Sequence, residues 1–143
     1  RYHMALHHEA SNTILTGDLV LSHGYYIRGP LCPDVTTYEA SLQRLRELDP
    51  SLLLPGHGDV IDDPDDAIDR CLSRSDELRQ SVRSTVSETP ITLRAIVDRL
   101  LGDGGDDYKR WVFTTTVFAY VEEMVNTGDA YIDCNDRITV QAR

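Results

Sequence analysis

The chain has 143 residues, a net charge of −10 and a hydrophobic content of 41%, enough for one domain or one and a half with a buried core. No run approaches the roughly 18 apolar residues of a membrane span, so no membrane partner is expected. The acidic balance, −7 through Asp76 and −3 after it, repels polyphosphate backbones and argues against broad nucleic-acid binding.

Seventeen of the 24 acidic residues are Asp, and Lys109 is the only lysine. This composition suits a high-salt cytoplasm, and equally a soluble acidic protein from a GC-rich genome. Cys32, Cys71 and Cys134 are odd in number and lack CxxC spacing, which excludes a disulfide framework or thiolate zinc site as the first reading. Residues 1–15 have neither a basic start nor a long apolar stretch, so no secretory signal is expected and a reducing cytoplasm is the default. The chain opens at Arg1 directly on a strand pattern, which leads to the expectation of a fragment; translation from Met4 is the alternative.

In chain order, His3 to Glu9 reads as a strand, and Glu9 to Asn12 as a turn into a second strand, Thr13 to Thr16. Gly17-Asp18 closes that strand. His7 and His8 point to opposite faces and read as surface residues rather than one metal site. Ser22 to Thr37 is irregular and carries His23, Tyr25, Tyr26 and Arg28. Tyrosine faces and an arginine fork suit an anionic or carboxylate-bearing substrate, against the plainer reading of a packed surface loop.

Tyr38 to Leu48 is an amphipathic helix with Tyr38, Leu42, Leu45 and Leu48 inward, a cap at Thr36 or Thr37, and a stop at Asp49-Pro50. Ser51 to Leu54 is a third strand, closed by Pro55-Gly56-His57-Gly58. Asp62, Asp63 and Pro64 open a long helix whose acidic cluster (with Asp65, Asp66 and Asp69) reads as capping and solvation rather than a calcium loop. Its apolar face includes Ala67, Ile68, Cys71, Leu78, Val82 and Val86. Thr92 caps the next helix, Gly102 to Asp106 is a turn, and a last helix runs from about Tyr108 to Asn126, with Trp111, Val117, Tyr120 and Met124 inward. Gly128 fits its C-terminal cap, and Ala130–Cys134 with Arg137–Val140 form a hairpin across Asn135-Asp136. Three helices and a hairpin read as a winged helix. Its third helix offers Lys109 and Arg110 but then Glu122 and Glu123, and its wing carries Asp129, Asp133 and Asp136, a poor match to duplex DNA.

Two apolar runs therefore end at glycine-rich turns, each delivering a residue that binds metals: the carboxylate of Asp18 and the imidazole of His57. Spacing alone leaves open whether Asp18 merely caps a turn and His57 sits in a polar loop. Thr16-Gly17-Asp18, the helix Tyr38 to Leu48, Leu54-Pro55-Gly56-His57-Gly58 and the preceding His3-Met4-Ala5-Leu6, in that order, resemble the C-terminal half of a metallo-β-lactamase-fold hydrolase. The part after Asp65 resembles the winged-helix domain of the branch holding lactamase-beta-like protein two and glyoxalase II-like thioester hydrolases.

The resemblance implies an α+β chain: residues 1–64 as the C-terminal part of an αββα sandwich, and residues 65–143 as a helical linker and winged helix. It implies two metal ions, usually zinc, bridged by Asp18, with His57 on the second ion and His3 as an outer residue orienting the ligands. Tyr25, Tyr26 and Arg28 would contact substrate. No separate nucleophile is required. The family's His-x-His-x-Asp-His motif does not occur in the sequence, so the chain alone is expected to be inactive and to need a preceding half, or self-association through an exposed sheet. The acidic surface favours a small ester or thioester substrate. A ribonuclease or phosphodiesterase of the same superfamily, and a non-catalytic winged-helix module binding nucleic acid or protein, are the alternatives.

Overall fold

The computed structural model describes residues 4–22, 34–102, 107–134 and 137–143. The chain forms two compact units, one built from residues up to Ser75 and the other from Asp76 onward with the segment Leu31–Val35.

The first unit contains strands β1 (Leu6–His8), β2 (Thr13–Gly17) and β3 (Leu52–Pro55), helix α1 (Val35–Glu47, which joins this unit from Thr36) and the start of helix α2 (Pro64–Thr85). The sheet order is β1-β2-β3, with β1 antiparallel and β3 parallel to β2. The parallel pair needs a crossover, which α1 supplies. Alternation along β2 sends Ile14 and Thr16 inward, and Leu53 of β3 lies opposite Ile14; all three are buried. Tyr38, Leu42 and Leu45 of α1 and Ala67, Ile68 and Cys71 of α2 are buried apolar residues of the same unit.

Asn12, with φ +47°, closes a single 3₁₀ turn (Glu9–Ser11) between β1 and β2. Its carbonyl accepts from Ser51 N–H at 2.9 Å, and its side-chain amide donates to the Asp49 carbonyl at 2.6 Å. The β1–β2 turn is thereby fastened to the approach of β3, which sets the register at the strand ends.

Three local expectations change. The first strand covers Leu6–His8 among the described residues, because the backbone turns at Glu9. Helix α1 starts at Val35, so Thr36 and Thr37 lie inside its first turn, and Leu48, after the last helical residue, is exposed. The Asp63 carboxylate accepts from Asp66 N–H at 3.0 Å, with Pro64 as the first helical residue of α2, which is the expected cap. Three more members of the acidic cluster form ion pairs, Asp65 and Asp69 with Arg46 and Asp66 with Arg70.

The second unit holds the end of α2, strand β4 (Ile91–Thr92), helices α3 (Leu93–Leu101) and α4 (Asp107–Asn126), and strands β5 (Ala130–Asp133) and β6 (Thr139–Ala142). Its sheet runs β4-β6-β5, antiparallel throughout. Thr92 caps α3 as expected, its hydroxyl accepting from Ala95 N–H at 3.1 Å. Gly128, at φ +83°, and Asp129 return N–H groups to Val125 and Met124 at the end of α4. Val82, Ile96, Phe113, Val117, Tyr120, Val121 and Val140 form the core. Strand β4 escapes sequence reading because two residues show no alternation.

The inward expectation for Trp111 is overturned: it is 68% exposed. Helix α4 carries more apolar residues than its buried face accommodates. Trp111 falls on the stripe of Thr115 and Glu122, both exposed, while Val112, Phe113, Val117 and Tyr120 take the inner positions. The turn at residues 103–106 and the hairpin tip Asn135-Asp136 lie outside the described residues.

Candidate metal centre

The site grows from the C-terminal ends of β2 and β3. Leu15 pairs with Leu54 and Gly17 with Pro55, so β2 spends one extra residue, Thr16, against β3. Such a bulge bends a strand and re-aims the residues beyond it, and bulges concentrate beside functional sites. The Thr16 hydroxyl, fully buried, donates to the Val20 carbonyl at 3.1 Å, and the Thr16 carbonyl accepts from Leu19 N–H at 3.1 Å. These bonds wrap a tight turn around Asp18. Gly17, at φ +54°, provides the left-handed residue that starts it.

From the neighbouring strand, Gly56 N–H donates to the Gly17 carbonyl at 2.8 Å. A Cβ at residue 56 would meet Asp18 Oδ1 at 3.0 Å and the Gly17 carbonyl carbon at 3.3 Å, so glycine is what lets the two turns approach this closely. The turn carrying His57 ends at Gly58, φ +91°.

The result is the juxtaposition that spacing could not establish. His57 Nε2 stands 3.7 Å from Asp18 Oδ1, with 26% of the Asp18 side chain and 66% of the His57 side chain exposed. That distance is too long for a hydrogen bond. It is close to the roughly 3.4 Å that an imidazole nitrogen and a carboxylate oxygen would show as two ligands of one tetrahedral zinc ion, given ligand bonds of about 2.1 Å. The donor types and their separation thus fit two positions of a divalent ion's sphere. Among the described residues no three His, Cys, Asp or Glu side chains converge on one point, so the pair by itself would fill only part of such a sphere.

His3, Tyr25, Tyr26 and Arg28 lie outside the described residues, as does His23. His7 and His8 are exposed on β1 and engage the adjoining turn: His7 Nε2 lies 3.0 Å from Asn12 Oδ1, and His8 Nδ1 2.7 Å from Ser11 Oγ. They contribute to the β1–β2 turn rather than to the Asp18–His57 pair. The buried polar residues flanking Asp18, Thr16 and Ser22, escape sequence reading, since hydroxyl residues in loops are commonplace and only burial marks these two.

No protein-family model matches the chain. It is 31% identical to a probable metallo-hydrolase, YqjP, of Bacillus subtilis, over 68% of this chain and 33% of that protein. It is 44% identical to the thioesterase pkgB of Emericella nidulans, over 41% of this chain and 16% of that protein. Two solved structures share its fold. A beta-lactamase domain protein from Burkholderia ambifaria has a TM-score of 0.79 at 21% identity, and a metallo-beta-lactamase family protein from Thermus thermophilus has 0.75 at 18%. Each covers 97% of this chain, which spans 44% of either solved chain. The chain spans about a third of the length of the Bacillus relative. The α+β chain is therefore similar in fold to metallo-β-lactamase domain proteins.

Proposed function

We propose that the chain is the C-terminal part of a metal-dependent hydrolase of the metallo-β-lactamase superfamily, with Asp18 and His57 as two of its metal ligands. The observation that carries this reading is the 3.7 Å approach of His57 Nε2 to Asp18 Oδ1 at the ends of adjacent parallel strands. Residues 1–64 form the hydrolase portion. Residues 65–143 form a helical linker and a winged helix, a reading supported by the order of three helical segments and an antiparallel hairpin. A cytoplasmic location is part of this proposal, resting on the cysteine usage. Separately, no helix among the described residues is long and apolar enough to cross a membrane.

Asp18 would bridge two divalent ions, zinc by family resemblance, and His57 would hold the second. When bound, such ions polarise the oxygen of the scissile group and make water nucleophilic near neutral pH. The part of this chain is to present its two donors in fixed places. The bulge at Thr16 and the Gly56–Gly17 bond hold the carboxylate and imidazole on one side of the strand ends. His3 would orient ligands from outside, and Tyr25, Tyr26 and Arg28 would receive the anionic or carbonyl-bearing part of the substrate.

The substrate proposed is a small ester or thioester. The net charge of −10 disfavours RNA, and one relative bears the name thioesterase. The remaining ligands come from sequence outside these residues. The sheet agrees with an additional layer: Leu6, Leu15 and Leu54 form one row across all three strands, with Leu6 53% and Leu15 43% exposed. An apolar row of this kind calls for a cover, supplied by the rest of the hydrolase or by a second copy.

The test is turnover of thioester, ester and phosphodiester panels, by the longest natural protein containing these residues and by the 143-residue chain alone. The longer protein should hydrolyse the thioester, lose that activity to a chelator and regain it with zinc, while the chain alone should show none and bind zinc weakly. Chelator-insensitive turnover would refute the metal mechanism. Tight stoichiometric zinc with turnover in the short chain would refute its incompleteness.

A further inference from the structure

The His57 turn is tied to the Asp18 turn at both ends. Before His57, Gly56 N–H donates to the Gly17 carbonyl at 2.8 Å. After it, Asp59 N–H donates to Ser22 Oγ at 2.9 Å. Ser22 is 5% exposed. The buried polar residues among those described are Thr16, Ser22, Ser75 and Thr116, and two of the four flank Asp18. Thr16 shapes the near side of the Asp18 turn through Val20. Ser22 reaches out of that segment to the other ligand's turn.

This second tie differs in kind from the first. The Gly56 bond continues the strand pairing and exists because β2 and β3 are neighbours. By Asp59 the chain has left β3, and Gly58 has turned it through a positive φ. Without the second tie, residues 57–60 would be fixed only at their two ends, by the Gly56 bond and by the paired backbone bonds between Leu53 and Ile61 at 2.9 and 3.0 Å. A buried hydroxyl accepting the Asp59 amide adds a fixed point inside that loop, two residues after His57.

Resting on the metal reading of Asp18 and His57, we infer that Ser22 is a positioning residue for that centre: its hydroxyl anchors the Asp59 amide and so holds the His57 imidazole in register with the Asp18 carboxylate. Pre-organised ligands bind metals more tightly because less ordering remains to be done on binding. Loss of one hydrogen bond that acts only through this ordering should weaken the metal by about three- to tenfold.

The test uses the 143-residue chain and two readouts: solvent exchange of the Asp59 amide without metal, and Zn²⁺ affinity from the His57 ring signals in an NMR titration. Ser22→Ala should accelerate Asp59 exchange at least about fivefold and weaken Zn²⁺ about three- to tenfold. Ser22→Thr, which keeps the hydroxyl, should restore both toward wild type, and Ser41→Ala, an α1 hydroxyl bonded to its own helix, should alter neither. Unchanged Asp59 exchange in Ser22→Ala, or faster exchange with unchanged Zn²⁺ affinity, would overturn the inference. So would equal losses in Ser22→Ala and Ser22→Thr, since the hydroxyl would then not be the cause. Asp18→Asn and His57→Ala separate the two levels. If they abolish binding while Ser22→Ala leaves it intact, only the inference fails. If they leave Zn²⁺ affinity unchanged, the metal reading fails and the inference with it.

Discussion

Gly56→Ala separates the geometry of the site from the stability of the fold. The new Cβ would lie 3.0 Å from Asp18 Oδ1, and 3.3 and 3.4 Å from the Gly17 carbonyl and α carbons. The Gly17 backbone is held by its pairing with Pro55 and by the Gly56 amide, so the displacement falls first on the Asp18 side chain, which makes the shortest contact. Restoring ordinary contact takes a movement of a few tenths of an ångström. Reached through χ1, that corresponds to an off-rotamer cost of about 0.5–1.5 kcal/mol. Against it, an alanine restricts the unfolded chain and contributes about 0.4–1 kcal/mol, because Gly56 is not among the residues with positive φ. The two effects nearly cancel, so the urea midpoint should shift little. Metal affinity has no such offset. A donor displaced from its partner by this amount should cost about tenfold, the lower end of what ligand-supporting residues show. Paired urea melts and zinc titrations decide the matter. Wild-type affinity in the variant, or destabilisation above about 2 kcal/mol with unchanged affinity, would refute the claim that Gly56 serves the Asp18–His57 geometry.

Asp129 is held below the ordinary Asp pKa of 3.8 by hydrogen bonds from Thr127 and Arg83. A carboxylate lowered in the folded state contributes stability that is present above its unfolded pKa and is lost as pH falls through the folded value. Asp129→Asn should therefore lower stability at neutral pH and flatten its decline at acid pH, measured as urea midpoints between about pH 2 and 7; an unaltered acid slope would count against the pairing. Duplex DNA should not bind the chain with sub-micromolar Kd at moderate salt. Tight binding in an anisotropy titration, weakened by Lys109→Ala and Arg110→Ala, would instead favour the DNA-binding reading of the second unit.

Much of the fold was legible because the relevant signals are local. Apolar periodicity marks α1, α2 and α3; Asp63-Pro64 and Thr92 announce helix starts; and Gly128 announces an end. Trp111 was misread because α4 is apolar on most of its circumference, and periodicity cannot rank faces when nearly all are apolar. Strand β4 is stabilised by pairing with β6, a contact distant in sequence. At the candidate site the donor residue types were legible and their approach was not. Gly17-Asp18 and Gly56-His57 identify ligand types, but their approach depends on the parallel pairing of β2 with β3 and on a bulge at Thr16. Ser22 and Asp59 are 37 residues apart, and their bond exists only once both turns are folded.

The central claim is that His57 is a metal ligand of a hydrolase and that the β1 histidines are not. Its most direct test is metal content with steady-state thioester turnover in the longest natural protein containing these residues, comparing His57→Ala with His8→Ala. His57 leaves the end of β3 beside Asp18, whereas the His8 ring is bonded to Ser11 in the adjoining turn. His57→Ala should lose bound metal and at least about a hundredfold in rate, the upper range for disturbed metal sites, while His8→Ala keeps both. Equal retention of metal and rate in the two variants would show that Pro55-Gly56-His57-Gly58 is a structural turn and would contradict the account.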